Sequence, residues 1–242
     1  MKFILNGGGI GEKCHTSYKK FAEIVDGKKV LFVPFANDED SPENAVEWFK
    51  KEVAPFGIVD IETINSPDVL TKNFLKKFGG IYFSGGNPFL LLSVLKNSCA
   101  FDEIKDFLKG DGVIMGGSAG ASIFAKSVDS ALKDDLKIIA SDENIVGLKD
   151  TRGFDVAQGF SFFVHYRVKE KQYEATEMRV QRLLADGHNL ICLPEETSLF
   201  IDDNKMTIIG DLPAEVITLS MRKTVFPGEE IINYEHAQEF EK

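Results

Sequence analysis

The sequence predicts an α/β protein in which helices flank a mostly parallel β-sheet and the C-terminus adds an antiparallel β extension. Three observations predict this class. Short apolar runs recur along the chain, segments with helical spacing separate them, and the C-terminal part changes to short strands joined by turns. Alternation of strands and helices is typical of a parallel sheet, because its crossover connections are usually helical.

The predicted strands are short and continuously apolar. Continuous rather than alternating apolar character is expected of strands that are covered on both faces of a sheet. Five runs have this character, and we predict that they are the buried parallel strands: residues 3–5, 30–33, 81–83, 113–115 and 190–193.

The predicted helices begin at capping signals and end near glycines. Ser41-Pro42-Glu43 supplies an N-cap, a proline at the first helical position and an acid in the first turn. Asn87-Pro88 opens another helix in the same way. Residues 101–109 and 174–185 form two further helical patterns, each followed closely by a glycine.

The C-terminal extension begins with a predicted hairpin. Residues 199–209 form two strand patterns joined at Asp203-Asn204, which suits a tight turn. No repeat, low-complexity tract or linker interrupts the sequence. We therefore predict a single domain over residues 1–242.

Composition and charge disfavour several function classes. The chain of 242 residues is 43% hydrophobic and 27% charged, and its net charge of −10 argues against binding to a phosphate backbone. No apolar run is long enough to span a membrane, and the apolar start is too short for a signal peptide. The three cysteines are scattered without ligand spacing, so we expect a reducing, cytoplasmic location and no zinc site.

Residues 116–120, Gly-Gly-Ser-Ala-Gly, carry the strongest functional signal. They lie between the apolar run 112–115 and residues 121–125, which are predicted to begin a helix. Such a serine is typical of a nucleophile elbow, in which the tight turn exposes the hydroxyl and the helix N-terminus faces a developing oxyanion. Ser118 is therefore a candidate nucleophile, and the alternative is a plain strand-to-helix turn.

A serine nucleophile needs a base, and the sequence contains four histidines. His165 differs from the others because it ends the apolar run 160–164, so we expect it at a strand tip, where open α/β sheets place their sites. A third group must orient the imidazole. The adjacent acids Glu195 and Glu196 follow another predicted strand and are the candidates for that role.

With these residues, the chain resembles the serine peptidases typified by aspartyl dipeptidase (dipeptidase E) and cyanophycinase, peptidase family S51. The resemblance rests on segment 116–120, the Gly-Gly-Asn loop at 85–87, the strand-end histidine and segment 193–199, Leu-Pro-Glu-Glu-Thr-Ser-Leu. Matching the last segment places the family's triad glutamate at Glu195. The fold implied is that of class I glutamine amidotransferases, a flavodoxin-like sheet.

The resemblance implies a serine peptidase that hydrolyses small peptides through a Ser118-His165-Glu195 triad and an acyl-enzyme intermediate. Such a triad itself supplies the nucleophile, the base and the orienting acid, so no metal or organic cofactor is expected. The expected partner is a small peptide substrate, without nucleic acid or membrane. The family includes monomers and dimers, so a homodimer stays an alternative.

The resemblance also implies roles around the nucleophile. The backbone N–H groups of Gly86 and Ala119 would form the oxyanion hole. Asn87 is a helix N-cap, and its side chain is a candidate substrate contact as well.

Substrate specificity is left open by the sequence. In the family, an arginine on the helix after the histidine helps to select an N-terminal aspartate, and alignment puts Thr176 at that position. Arg167 and Arg179 are the candidate replacements for binding substrate. The triad acid has alternatives as well, in Glu196 and in Asp129, Asp134 and Asp135.

Three other function classes were weighed against a peptidase. The loop Gly7-Gly8-Gly9-Ile10-Gly11 fails the dinucleotide-binding fingerprint because Glu12 occupies the third glycine position. A non-catalytic binding protein on the same scaffold would tolerate Ser118→Ala. An esterase of the α/β-hydrolase type would use His188 or His236 as its base.

Overall fold

A computed structural model describes residues 1–37, 42–136, 138, 141–167 and 172–231. The strands in these residues are β1 Lys2–Asn6, β2 Val30–Val33, β3 Ile61–Thr63, β4 Gly80–Phe83, β5 Val113–Gly117, β6 Phe160–Phe163, β7 Asn189–Cys192, β8 Thr197–Asp202, β9 Lys205–Gly210, β10 Ala214–Ile217 and β11 Arg222–Val225. The α-helices are α1 His15–Val25, α2 Pro42–Val53, α3 Lys72–Leu75, α4 Pro88–Lys96, α5 Ala100–Phe107, α6 Ala119–Ser122 and α7 Tyr173–Ala185.

The main sheet has seven strands in the order β3-β2-β4-β5-β1-β8-β9. The first five strands of this order are parallel, and β8 and β9 add an antiparallel hairpin at the edge. The hairpin turns at Asp203 and Asn204, which have φ values of 46° and 70°. The predicted α/β class, with a mostly parallel sheet and an antiparallel extension, is confirmed.

Strand β7 corresponds to the predicted run 190–193 but belongs to a second sheet. This sheet has four strands in the order β11-β10-β7-β6. Within it β7 is parallel to β6 and antiparallel to β10. The place beside β1 in the main sheet is taken by β8, which pairs with β1 along its whole length. The C-terminal extension therefore contributes strands to both sheets.

Helix α6 is shorter than the sequence predicts. The pattern at 121–125 suggested the first turns of a longer helix, whereas α6 ends at Ser122. The carbonyl groups of residues 123–125 accept hydrogen bonds from the backbone N–H groups of residues 154–156. Since these carbonyls bind a neighbouring loop, the helix does not continue.

Both faces of the main sheet are buried. In β1, Phe3 and Leu5 pack into an apolar cluster with residues of α4 and α5. Ile4 points to the opposite face and joins a cluster that includes Phe21 of α1 and Phe49 of α2. Because neighbouring residues of one strand serve two cores, the strand sequences are continuously apolar.

The carboxyl ends of the central strands lie at one edge of the main sheet. The last residues of β1 and β5, Asn6 and Gly117, are paired in the register. The last residues of β6 and β7 are paired in the second sheet. The two sheets meet at this edge, where the N–H of His165 donates to the carbonyl of Gly7 at 2.8 Å. The loops after β1, β5, β6 and β7 therefore converge on one place.

Candidate active site

Ser118 lies in a strained turn between β5 and α6. Its φ of 51° and ψ of −114° are rare for a non-glycine residue, and such strain costs roughly 1–3 kcal/mol. The N–H of Ser118 donates to the carbonyl of Asn6 at 3.1 Å. A glycine is required at position 120, because a Cβ there would lie 2.1 Å from the carbonyl oxygen of Phe83. This is the backbone geometry of a nucleophile elbow.

His165 faces Ser118 from the end of the second sheet. Its Nε2 lies 2.9 Å from Ser118 Oγ. The backbone of His165 has a φ of 51°, also in the left-handed region. The N–H of His165 donates to the carbonyl of Gly7, and the N–H of Tyr166 donates to the carbonyl of Leu193. The imidazole is therefore presented by a turn that both sheets hold.

Glu195 extends the line of hydrogen bonds that begins at Ser118. Its Oε1 lies 2.8 Å from His165 Nδ1, and its Oε2 accepts from Lys13 Nζ at 2.6 Å. Burial acts to raise the pKa of the Glu195 carboxyl, but the hydrogen bonds from Lys13 and His165 outweigh it and lower the pKa. The ionised carboxylate accepts a hydrogen bond from Nδ1–H of His165, and Nε2 then has no proton and accepts a hydrogen bond from the hydroxyl of Ser118.

The other candidate acids have different partners. Glu196 Oε1 lies 3.3 Å from Lys13 Nζ. Asp129, Asp134 and Asp135 accept from the hydroxyls of Ser127 and Thr151 and from the guanidinium groups of Arg179 and Arg182. Glu195 is the acid that contacts the imidazole of His165.

The other histidines of the described chain lie elsewhere. His188 Nδ1 lies 2.9 Å from Ser161 Oγ, and burial lowers the pKa of this imidazole. The ring of His15 packs edge-on against Phe56. His236 falls outside the described residues. The imidazole that the structure brings to Ser118 is therefore that of His165.

A cleft of about 440 Å³, named here the Ser118 cleft, opens over the turn at Ser118. Its walls include Gly8, Gly86, Ser118, Ala119, Asp142 and His165. The N–H groups of Gly86 and Ala119 have no acceptor among the described residues, so both are available to an oxygen atom in the cleft. Asp142 is the residue of this wall that the sequence analysis missed, because it lies in an irregular loop without a motif.

Asn87 caps helix α4 and also borders the Ser118 cleft. Its Oδ1 accepts from the N–H groups of Phe89 and Leu90 at 3.0 and 3.1 Å. Its Nδ2 donates to the carbonyl of Glu143 at 2.8 Å. Both ends of the Asn87 amide therefore have protein partners. Its cap on α4 and its bond to Glu143 explain the residue without a substrate contact.

In the described part of the chain, no group of three or more histidine, cysteine, aspartate or glutamate side chains is arranged to hold a metal ion. None of its helices has the length and apolar character needed to cross a membrane.

Comparison with known families decides the family of this chain. The sequence profile described as peptidase family S51 matches residues 3–209. The chain belongs to peptidase family S51. The predicted resemblance to this peptidase family is confirmed.

Relatives of this S51 chain differ in how much of it they match. An uncharacterized peptidase of Listeria monocytogenes serovar 1/2a is 32% identical over 115 residues, which are 46% of this chain and 55% of the relative. The chain thus spans little more than half of that relative. A probable alpha-aspartyl dipeptidase of Drosophila melanogaster is 24% identical over 220 residues, covering 88% of this chain and 85% of the relative.

A solved structure has the same fold as this S51 chain. The crystal structure of a peptidase from an acI-B1 actinobacterium superposes with a TM-score of 0.69 at 20% identity, covering 95% of this chain and 96% of that one. At this identity the likeness concerns the fold.

The two arginines predicted to bind substrate lie outside the Ser118 cleft of this S51 chain. Arg179 is buried on α7, where it pairs with Asp134 at 2.9 Å and donates to the carbonyl of Leu132 at 2.6 Å. Arg167 pairs with Glu215 at 2.7 Å and borders a separate hollow of about 330 Å³. Both guanidinium groups already have protein acceptors, which argues against the predicted role.

Proposed function

We propose that this S51 chain is a serine peptidase that hydrolyses short peptides. Ser118 is the nucleophile, His165 the general base and acid, and Glu195 the acid that orients the imidazole. One observation carries the proposal, namely the line of hydrogen bonds from Ser118 Oγ to His165 Nε2 at 2.9 Å and from His165 Nδ1 to Glu195 Oε1 at 2.8 Å. A nucleophile, a base and an orienting acid in this order are the requirements of acyl transfer.

Acylation follows from this geometry. Ser118 Oγ forms a bond to the carbonyl carbon of the peptide as its proton passes to His165 Nε2. The carbonyl π electrons move to the oxygen, which accepts from the N–H groups of Gly86 and Ala119. Removal of one such donor from an oxyanion hole costs about 2.7–4 kcal/mol of activation free energy. The C–N bond then breaks as Nε2 returns its proton to the leaving amine.

Deacylation repeats the sequence with water. Water attacks the ester carbon, its proton passes to Nε2, and the ester oxygen of Ser118 recovers that proton as the acid product leaves. The Glu195 carboxylate stays ionised throughout, because its hydrogen bonds from Lys13 and His165 lower its pKa. It therefore stabilises the imidazolium in both halves of the reaction.

The dimensions of the cleft favour small substrates. Its volume of about 440 Å³ is in the range of sites for small molecules. A relative that matches most of the chain is named a probable alpha-aspartyl dipeptidase. We therefore propose dipeptides and other short peptides as the substrate class.

We also propose a cytosolic location. Cys14, Cys99 and Cys192 are all free thiols. Unpaired cysteines are usual in reducing compartments.

The proposal is tested by the hydrolysis of a dipeptide and tripeptide library. The unchanged protein should cleave a subset of members, and Ser118→Ala should cleave none while keeping its melting temperature. Ser220→Ala is the matched control, since this serine is exposed in a distant turn. If Ser118→Ala retained full turnover, the proposed nucleophile would be wrong. If the protein hydrolysed simple esters efficiently and His188→Ala abolished that activity, the esterase would be favoured.

A further inference from the structure

Asp142 is the acidic residue in the described wall of the Ser118 cleft. The lining residues of that cleft include no lysine or arginine within the described chain, and His165 is the other titratable side chain among them. Asp142 itself is half-buried. The cleft therefore offers one negative charge to whatever binds beside Ser118.

Two hydrogen bonds hold the backbone of Asp142, and its carboxylate takes no part in them. Its N–H donates to the carbonyl of Ala131 at 2.7 Å, and its carbonyl accepts from the N–H of Lys133 at 2.8 Å. Its carboxyl oxygens have no hydrogen-bond or ion-pair partner among the described residues. The neighbouring Glu143, by contrast, pairs with Lys133 at 2.7 Å.

Two ordinary roles do not account for this carboxylate. It is not the orienting acid, because Nδ1 of His165 is bound by Glu195 and Nε2 by Ser118. It does not fix the loop, because the backbone N–H and carbonyl of Asp142 make the hydrogen bonds that do so. Burial raises the pKa of the Asp142 carboxyl, because desolvation disfavours its charged form. A bound cation would restore the lost stabilisation.

We propose that Asp142 binds the free α-ammonium group of the peptide substrate. The inference rests on the proposed function, because it concerns the substrate group that lies next to the scissile peptide bond. Every unblocked peptide carries this cation one Cα away from its first carbonyl carbon, whereas a basic side chain is present in only some peptides. Recognition of the α-ammonium makes the protein an exopeptidase that acts at free N-termini.

Binding is measured by calorimetry on the Ser118→Ala protein with Ala-Ala and N-acetyl-Ala-Ala. We expect Ala-Ala to bind at least about tenfold more tightly, as a hydrogen bond to a charged group implies. Adding Asp142→Asn should remove that difference, and adding Glu143→Gln should not. Equal affinities for the two peptides, no binding of either, or a loss on both peptides in Asp142→Asn would overturn the inference.

Hydrolysis by the protein with Ser118 intact separates the two proposals. We expect cleavage of Ala-Ala and Lys-Ala but not of their N-acetyl forms. Equal cleavage of blocked and free peptides would refute the role of Asp142 while leaving the peptidase intact. Preferential cleavage of Lys-Ala over Ala-Ala in both the free and the N-acetyl forms would refute it too. No cleavage of any peptide, with the calorimetric difference present, would refute the proposed function alone.

Discussion

A Cβ atom at Gly8 would lie 2.3 Å from Cε1 and 2.4 Å from Nε2 of His165. The loop after β1 therefore lies directly against the imidazole. Its neighbours hold the same region, because Gly7 accepts from the N–H of His165 and Asn6 Nδ2 donates to the carbonyl of Glu195 at 3.2 Å. The glycine-rich loop that fails the nucleotide fingerprint is thus part of the support for the proposed base.

Gly8→Ala should displace the imidazole and lower kcat/KM by about a hundredfold, the effect of misplacing a catalytic group by roughly 1 Å. Gly8 also has a φ of 107°, so some stability will be lost. Gly11→Ala is the control, because Gly11 also has a positive φ but would meet no atom within 4 Å. If both variants lost activity equally, contact with His165 would not be the cause.

Glu195→Gln should lower kcat by about 10⁴, as replacement of the orienting carboxylate by an amide favours the wrong imidazole tautomer. Glu196→Gln removes a charge at the next position and should leave kcat nearly unchanged, since Glu196 contacts Lys13 rather than the imidazole. Steady-state kinetics of the two variants decide between the adjacent acids. Loss of activity in Glu196→Gln alone would reverse the assignment.

Lys13→Met should make the protein lose stability at a higher pH as the solution is acidified. The hydrogen bond from Lys13 is the main interaction that lowers the pKa of Glu195 against burial, so its loss raises that pKa. With a lowered folded pKa, the ionised Glu195 contributes stability above its ordinary value of 4.5, and this contribution is lost as pH falls. The variant should therefore lose this contribution at a higher pH than the parent, which denaturant unfolding at a series of acidic pH values measures.

Lys20→Met is the control for that stability profile, because Lys20 lies on α1 and pairs with Glu23 instead. Its loss of stability with falling pH should match that of the unchanged protein. An unchanged profile in Lys13→Met would show that Lys13 does not govern the ionisation of Glu195.

Arg179→Met should destabilise the protein by about 1–3 kcal/mol, because the backbone carbonyls of Asp129 and Leu132 lose the buried guanidinium that donates to them. Arg182→Met should destabilise the protein less, since its pair with Asp135 is exposed. Denaturant unfolding measures both. If Arg179→Met instead kept its stability and raised KM, the arginine would bind substrate as the sequence suggested.

Signals confined to short segments were readable from the sequence. The glycines around Ser118, the cap at Asn87 and the strand-end position of His165 each follow from local chain geometry. Glu195 could be separated from Glu196 only by matching a family segment, because alternate side chains after a strand point in different directions. The membership of β7 in a second sheet depends on the pairing of β8 with β1, which no local pattern records.

Lys13 and Asp142 could not be predicted, for a physical reason. Lys13 is distant in sequence from Glu195, which it contacts, and Asp142 is distant from His165, which lines the same cleft. Neither residue lies in a segment with a periodic pattern. A charged residue in a polar loop is usually solvated. Only the packed structure shows that one of them pairs with Glu195 and that the other lines the Ser118 cleft.

The most direct test of the proposed chemistry is covalent labelling with diisopropyl fluorophosphate, followed by peptide mapping with mass spectrometry. We expect one adduct, on the peptide that contains Ser118, with matching loss of peptidase activity. His165→Ala should slow labelling strongly, because the base no longer accepts the hydroxyl proton. Labelling of a different serine that abolishes activity, or full activity with Ser118 modified, would contradict the account.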